Sequence, residues 1–168
     1  ELLFYLEALR QSGGARPGDR IEHGSVIPES LIGEIAAAGL IVVTQSNFIH
    51  DRGDRYRAQI DPSELDDLYR LGSLLRGGVR MLGGSDAPYG DINPWIALRA
   101  ALDRRTRDGA VIGAGEAVDR HAALALYHHS ALTVGAPADL ILYDWPEEAG
   151  SLGKVSLTLI GGDIVWHG

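Results

Sequence analysis

Residues 79–88 read Val-Arg-Met-Leu-Gly-Gly-Ser-Asp-Ala-Pro, a short apolar run that stops at two glycines, a carboxylate and a proline. The pattern predicts a buried strand followed by a loop, with Asp86 just beyond the C-terminal end of the strand. In α/β folds with parallel strands, the residues that do chemistry lie at that end of the sheet. Asp86 is therefore the first candidate functional residue of the chain.

The composition limits the class of protein and of partner. The chain has 168 residues, of which 45% are hydrophobic and 23% charged, as in soluble globular domains. A net charge of −8 argues against nucleic acid or an anionic membrane as the main partner, and no apolar run could span a bilayer. The lack of cysteine excludes disulfides and thiolate metal sites, and is compatible with the cytoplasmic location that we expect. The chain begins without Met and without a signal peptide, so we expect a piece of a longer protein.

Strands and helices alternate along the first two thirds of the chain. The predicted strands cover residues 19–24, 40–44 and 79–82, and the predicted helices cover residues 1–11, 28–38, 61–76 and 93–107. Residues 45–60 are predicted as a polar loop. This alternation predicts a parallel sheet, which either a doubly wound fold or part of a (β/α)₈ barrel would satisfy.

The last third follows a different pattern. An Ala- and Leu-rich helix is predicted over residues 116–129, followed by a strand within 136–144. Residues 155–160 and 163–167 flank Gly161-Gly162 and predict a β-hairpin. These strands have no helices between them, so they predict a small antiparallel sheet. We therefore expect two domains, residues 1–130 and 131–168.

Two side chains are placed to meet at one edge of the parallel sheet. His23 ends the first predicted strand and Asp86 follows the third, and an imidazole with a carboxylate suits a divalent ion such as zinc. Each residue also has a structural interpretation. His23 could bond a loop carbonyl, and Asp86 could cap a turn ahead of Pro88. Spacing alone leaves these alternatives open.

The combination of four motifs is more specific. In order, they are Asp-Arg-Ile-Glu-His at 19–23, Val-Val-Thr-Gln at 42–45, Gly-Ser-Asp-Ala-Pro-Tyr-Gly at 84–90 and Gly-Ala-Pro-Ala-Asp-Leu at 135–140. Together they resemble the C-terminal part of the amidohydrolase superfamily, in particular amidohydrolase family 3, which includes N-substituted formamide deformylase. The resemblance implies an α/β fold, with strands six to eight of a (β/α)₈ TIM barrel plus the returning strands of a small β-sandwich.

The resemblance also implies a function: metal-dependent hydrolysis of carbon–nitrogen bonds other than peptide bonds in a small amide-type molecule. His23 and Asp86 would be ligands of a divalent metal, with zinc expected, and Asp86 would also be the catalytic proton shuttle. Gln45, Asn47 and Tyr89 are the candidate substrate-binding residues. The family's remaining ligands lie upstream in a full-length enzyme, and Lys154 falls in the sandwich segment. We therefore expect this chain alone to be an incomplete enzyme.

Two other functions are possible on the sequence. The chain could be a truncated, inactive module with a structural role in a homo-oligomer of paired half-barrels. It could also be a serine hydrolase using Ser85, because residues 83–87 approximate a nucleophile elbow. That motif requires a helix starting at the serine, whereas Asn93-Pro94 places the predicted helix start about eight residues later, which disfavours Ser85.

Overall fold

The computed structural model describes residues 1–128, 132–145 and 153–168, and has two compact units, Glu1–Tyr127 and His128–Gly168. The elements of the first unit are α1 Leu2–Gln11, β1 Arg20–Glu22, α2 Glu29–Ala37, β2 Ile41–Thr44, α3 Asn47–Gln59, a 3₁₀ helix Pro62–Asp67, α4 Gly72–Arg76, β3 Arg80–Gly83, α5 Pro94–Asp103, a 3₁₀ helix Ala114–Glu116 and α6 Arg120–Ala125. Those of the second are β4 Leu140–Asp144, β5 Lys154–Ile160 and β6 Asp163–His167. The predicted boundary at residues 130 and 131 lies outside the described residues. The assignment of the two units to a partial barrel and a sandwich stays a prediction.

The first unit is built on a parallel sheet in the order β1-β2-β3. Glu22 pairs with Val43 and Thr44 pairs with Gly83, so the three strands end at the same edge of the sheet. The mixed α/β class and the parallel pairing are confirmed. In the central strand Ile41, Val42 and Thr44 are buried, as expected for a β-branched run covered by helices.

Helix α3 corrects the prediction of a loop over residues 45–60. The helix covers Asn47–Gln59, and its inward side carries Ile49, Gly53 and Tyr56 at helical spacing. Gly53 occupies an apolar position without a side chain, because a Cβ there would lie 2.4 Å from Thr106 Cγ2. The helix also carries five charged residues, which give the segment the composition of a loop.

A second correction concerns residues 61–76, which form two short helices instead of one. Asp61 caps the start as predicted, accepting a hydrogen bond from the Ser63 amide. The helix then stops because Leu68 is extended (ψ 124°) and Tyr69 is left-handed (φ +43°), with the Tyr69 amide donating to Ser25 O. Tertiary contact with the loop after β1 thus overrides local helix propensity.

Two further helices are shorter than predicted. The helix predicted over 93–107 starts at Pro94 with the Asn93 cap as expected, and ends at Asp103 because Arg104 is left-handed (φ +56°). The helix predicted over 116–129 is the 3₁₀ helix ending at Glu116 followed by α6, which Asp119 caps. Residue 129 lies outside the described residues.

The second unit is the antiparallel sheet that the sequence predicts. β4 pairs with β5 and β5 with β6, and the turn at Gly161-Gly162 has positive φ at both glycines. Asp139 Oδ1 accepts a hydrogen bond from the Gly161 amide, which gives Asp139 the structural role expected for it. None of the described side chains in this unit is buried. Separately, no helix in the described part of the chain is long and apolar enough to cross a membrane.

Candidate metal centre

His23 and Asp86 lie side by side at the C-terminal edge of the parallel sheet. His23 follows β1 directly, Asp86 comes three residues after β3, and His23 Nδ1 is 4.0 Å from Asp86 Oδ2. The two side chains are partly exposed, at 47% and 33%. The edge therefore presents one nitrogen donor and one oxygen donor together to solvent.

Both residues have an unfavourable backbone conformation. His23 has φ +68° and Asp86 has φ +54°, in the left-handed region that non-glycine residues seldom occupy. Such a residue costs about 1–3 kcal/mol, and residues of this kind concentrate at functional sites. Four non-glycine residues of the described part of the chain have such a conformation, and two of them are the converging pair, which makes this edge a candidate functional site.

Gln45 is the polar neighbour of His23. Its Oε1 lies 3.1 Å from His23 Nδ1, and the residue is only 3% exposed. Sequence reasoning proposed Gln45 as a substrate ligand and missed this contact. The pairing of Glu22 with Val43 puts the residues after β1 beside those after β2, but nothing in the sequence spacing gives that register.

The loop that carries Asp86 is attached to α3. The completely buried Asn47 donates from Nδ2 to Ser85 O at 3.0 Å, and Arg52 Nη2 donates to Tyr89 O at 2.7 Å. Gly90 packs against this anchor so closely that a Cβ would lie 2.2 Å from Ser85 O and 2.3 Å from Asn47 Nδ2. Helix α3 thus fixes the loop on both sides of Asp86.

Of the three candidate substrate ligands, Tyr89 alone is open to solvent. Its side chain is 73% exposed, whereas Gln45 and Asn47 are buried and hydrogen-bonded within the protein. Ser85 is followed by a loop and α5 begins only at Pro94, so the helix that a nucleophile elbow requires is absent at Ser85. The loop geometry therefore favours Asp86 over Ser85 as the reactive group.

An aromatic ring, that of Tyr127, packs against the C-terminal end of β3. A Cβ on Gly83 would lie 2.5 Å from Tyr127 Cζ, so only glycine fits at the end of this strand. Burial raises the pKa of the Tyr127 phenol above the ordinary value of about 10, at which the group is already neutral at physiological pH. The ring that packs against the end of β3 is therefore uncharged.

The donor chemistry suits a divalent metal, with two ligands in place. Imidazole nitrogen and carboxylate oxygen are both common zinc ligands. Within residues 1–128, 132–145 and 153–168, no group of three or more His, Asp or Glu side chains could hold an ion. His23 and Asp86 therefore fit as two ligands of a metal site that would require further ligands.

Comparison with known proteins gives both a family and related folds. Residues 3–166 match the amidohydrolase family. An uncharacterized metal-dependent hydrolase from Pyrococcus furiosus is 25% identical, with a TM-score of 0.61 over 74% of this chain and 25% of its own. A second from Pyrococcus horikoshii OT3 shares the fold, at 23% identity and a TM-score of 0.62 over 73% of this chain and 25% of its own. The chain spans about a quarter of the length of these structures. No protein with a curated description matches it.

Proposed function

The chain belongs to the amidohydrolase family, and on this basis we propose that it is the part of a metal-dependent hydrolase that carries His23 and Asp86. The proposed reaction is hydrolysis of a carbon–nitrogen bond, other than a peptide bond, in a small amide-type molecule. An N-substituted formamide is the more specific substrate we propose. The observation that carries the proposal is the approach of His23 and Asp86 to 4.0 Å at one sheet edge, both in left-handed conformation.

The proposal includes the larger fold. Strands β1, β2 and β3 would be strands six to eight of a (β/α)₈ barrel, and the antiparallel sheet of the second unit would be part of a β-sandwich. The parallel pairing of β1-β2-β3 with intervening helices supports the first assignment. In such a barrel the C-terminal strand ends form the active site, which is where His23 and Asp86 lie.

Within this site each residue has a proposed role. His23 and Asp86 would bind the metal, with zinc as the expected ion. When bound, a divalent ion lowers the pKa of a water molecule toward about 7 and polarises the substrate carbonyl. Asp86 would accept the proton that the attacking water loses and return it to the leaving nitrogen, which then departs as a neutral amine. Tyr89 would contact the substrate, a role that its 73% exposed side chain supports.

Zinc binding by the full 168-residue chain tests the proposal. We expect Zn²⁺ titration followed by calorimetry to show weak binding that falls at least about tenfold in His23→Asn and in Asp86→Asn, since each removes a ligand. His121→Asn and Asp163→Asn are matched controls at exposed positions and should bind as the unchanged chain does. Equal zinc affinity in all five proteins would overturn the proposal.

The second candidate is an inactive module that assembles with a further copy of the chain in the cytoplasm. It is favoured by the two-donor ligand set among the described residues and by the exposed apolar side chains of the second unit, including Ile141, Leu142 and Ile164. Sedimentation of the same preparations distinguishes the candidates. A stable oligomer without zinc binding supports the module, and zinc binding that depends on His23 and Asp86 supports the hydrolase.

A further inference from the structure

We propose that Gln45 is a positioning residue, which holds the proton of the His23 imidazole on Nδ1 and so reserves Nε2 for a metal ligand. The role of Nε2 rests on the proposed function, whereas the placement of the proton rests on the contact between the two side chains. This gives the buried Gln45 a part in the site different from direct contact with a substrate.

The direction of the hydrogen bond fixes the tautomer. Gln45 Oε1 lies 3.1 Å from His23 Nδ1, and an amide oxygen can only accept. With the Gln45 amide in this orientation, Nδ1 carries the hydrogen, and in the neutral ring Nε2 then carries the lone pair. Asp86 Oδ2 faces the same nitrogen at 4.0 Å, which is too long for a hydrogen bond. Among the described residues, Gln45 is thus the one acceptor for Nδ1.

Gln45 can impose this arrangement because it is itself fixed. It follows β2 immediately, is 3% exposed, and lies beside the backbone of Gly84, where a Cβ would come within 3.4 Å of its Nε2. Gly84 in turn donates its amide to Thr44 O at 2.9 Å. The amide of Gln45 therefore projects from a strand end whose position is set by sheet pairing, which gives a rigid support for the ring.

Metal-binding histidines depend on such a partner. A histidine that ligates through one nitrogen almost always donates its other N–H to an acceptor, and loss of that acceptor reduces metal affinity or activity by about 10–100-fold. His23 Nε2 has no hydrogen-bond partner in the described part of the chain, and the side chain is 47% exposed. It is therefore the nitrogen that is free to bind an ion from solution.

The test reads the tautomer directly in the metal-free chain. The protein is labelled with nitrogen-15 at histidine and studied by two-bond N–H correlation at about pH 8.5, above the usual histidine pKa of about 6.5. The His23 signals are assigned by their loss in His23→Asn. We expect Nδ1 to be the protonated nitrogen. Gln45→Met should give a mixture of tautomers, whereas Gln45→Glu, which keeps an acceptor, should retain the proton on Nδ1. Gln59→Met, at an exposed glutamine that accepts from Arg55, is the matched control and should change nothing.

Zinc titration of the unchanged chain, Gln45→Met, Gln45→Glu and Gln59→Met completes the test. We expect Gln45→Met to weaken zinc binding by about tenfold or more, and Gln45→Glu and Gln59→Met to preserve it. A proton on Nε2 in the unchanged chain, or a tautomer that survives in folded Gln45→Met, overturns the positioning role. If the tautomer behaves as expected and no protein binds zinc, the positioning of His23 stands and the proposed function fails. If zinc binds but the tautomer of His23 does not change with residue 45, the proposed function stands and the positioning role of Gln45 fails.

Discussion

The described part of the chain contains two three-stranded sheets whose side chains lie in opposite surroundings. In the parallel sheet, Ile41, Val42 and Thr44 of the middle strand are buried. In the antiparallel sheet, no described side chain is buried, and Ile164 and Val165 are 61% and 55% exposed. The strands of the first sheet are joined through helices, which cover the sheet as part of the same chain segment, whereas the turn between β5 and β6 supplies no such cover. The candidate site accordingly lies on the sheet whose strand ends are fixed by a core.

The first unit also buries a cation, which the second does not in its described residues. Arg104 is 0% exposed and donates to three backbone carbonyls: Ile112 O at 2.9 Å, Tyr69 O at 2.9 Å and Leu68 O at 2.7 Å. Burial lowers the pKa of its guanidinium to about 10. These hydrogen bonds connect irregular segments of the chain, in which the three carbonyls have no partner within a helix or a sheet. The core of the first unit therefore depends on the polar side chain of Arg104 as well as on apolar packing.

Removal of this side chain is expected to have the largest effect on stability. Arg104→Met leaves three carbonyls without their donor, and since each buried unpaired group costs about 1–3 kcal/mol, we expect the free energy of unfolding to fall by about 3–5 kcal/mol. Arg105→Met is the matched control, because Arg105 is exposed and donates to one carbonyl, Gly109 O. It should cost less than about 1 kcal/mol.

Urea unfolding followed by circular dichroism measures both variants. If Arg104→Met is too unstable to be purified folded, the milder Arg104→Lys, which keeps a donor, should give a folded protein of intermediate stability. Equal losses in the Arg104→Met and Arg105→Met proteins would show that the buried cation is not what distinguishes the first unit.

The same substitution in each sheet compares them directly. Val42 in β2 is 0% exposed, so Val42→Ala should lower the free energy of unfolding by about 2 kcal/mol through lost burial and a cavity. Val165 in β6 is 55% exposed, so Val165→Ala should change it by less than about 0.5 kcal/mol. Denaturant midpoints of the two variants are the measurement. A cost at Val165 equal to that at Val42 would mean that this face of the antiparallel sheet is covered in solution, for example by a second copy of the chain.

Much of the fold could be predicted because local signals and tertiary structure agree there. The β-branched run before Thr44, the Asn93-Pro94 helix start and the Gly161-Gly162 turn each specify their element without help from distant residues. Helix α3 was missed because one of its inward positions is Gly53, which contributes no apolar side chain to the pattern. The stripe Ile49, Gly53, Tyr56 becomes visible only when Gly53 is counted as buried.

The break between the 3₁₀ helix at Pro62–Asp67 and α4 could not be predicted from local sequence. Leu68 and Tyr69 continue the apolar pattern of a helix, yet their carbonyls bind Arg104, which is 36 and 35 residues away in sequence. The candidate site could likewise be predicted only in part. Strand order places His23 and Asp86 at one edge, whereas the contact of Gln45 with His23 depends on the register between β1 and β2, which no single segment encodes.

The smallest expected effect is on alkaline stability, and it concerns tyrosines of the first unit. Burial, followed by a hydrogen bond with Tyr69, raises the pKa of Tyr56, and burial raises that of Tyr127. Unfolded tyrosine ionises near about pH 10. Above that pH the unfolded chain loses protons that the folded chain retains. The free energy of unfolding should therefore be unaffected by these phenols below about pH 9 and fall as the pH rises past about 10.

The double variant Tyr56→Phe with Tyr127→Phe isolates this contribution, because the buried Arg104 titrates in both proteins alike. Urea unfolding at a series of pH values between about 8 and 11 should show a shallower alkaline decline in the variant than in the unchanged chain. Identical slopes would mean that the two phenols ionise as readily in the folded protein as in the unfolded chain. The interior around α3 and β3 would then be open to water, and the contrast in burial between the two sheets would be smaller than the buried side chains of the first unit indicate.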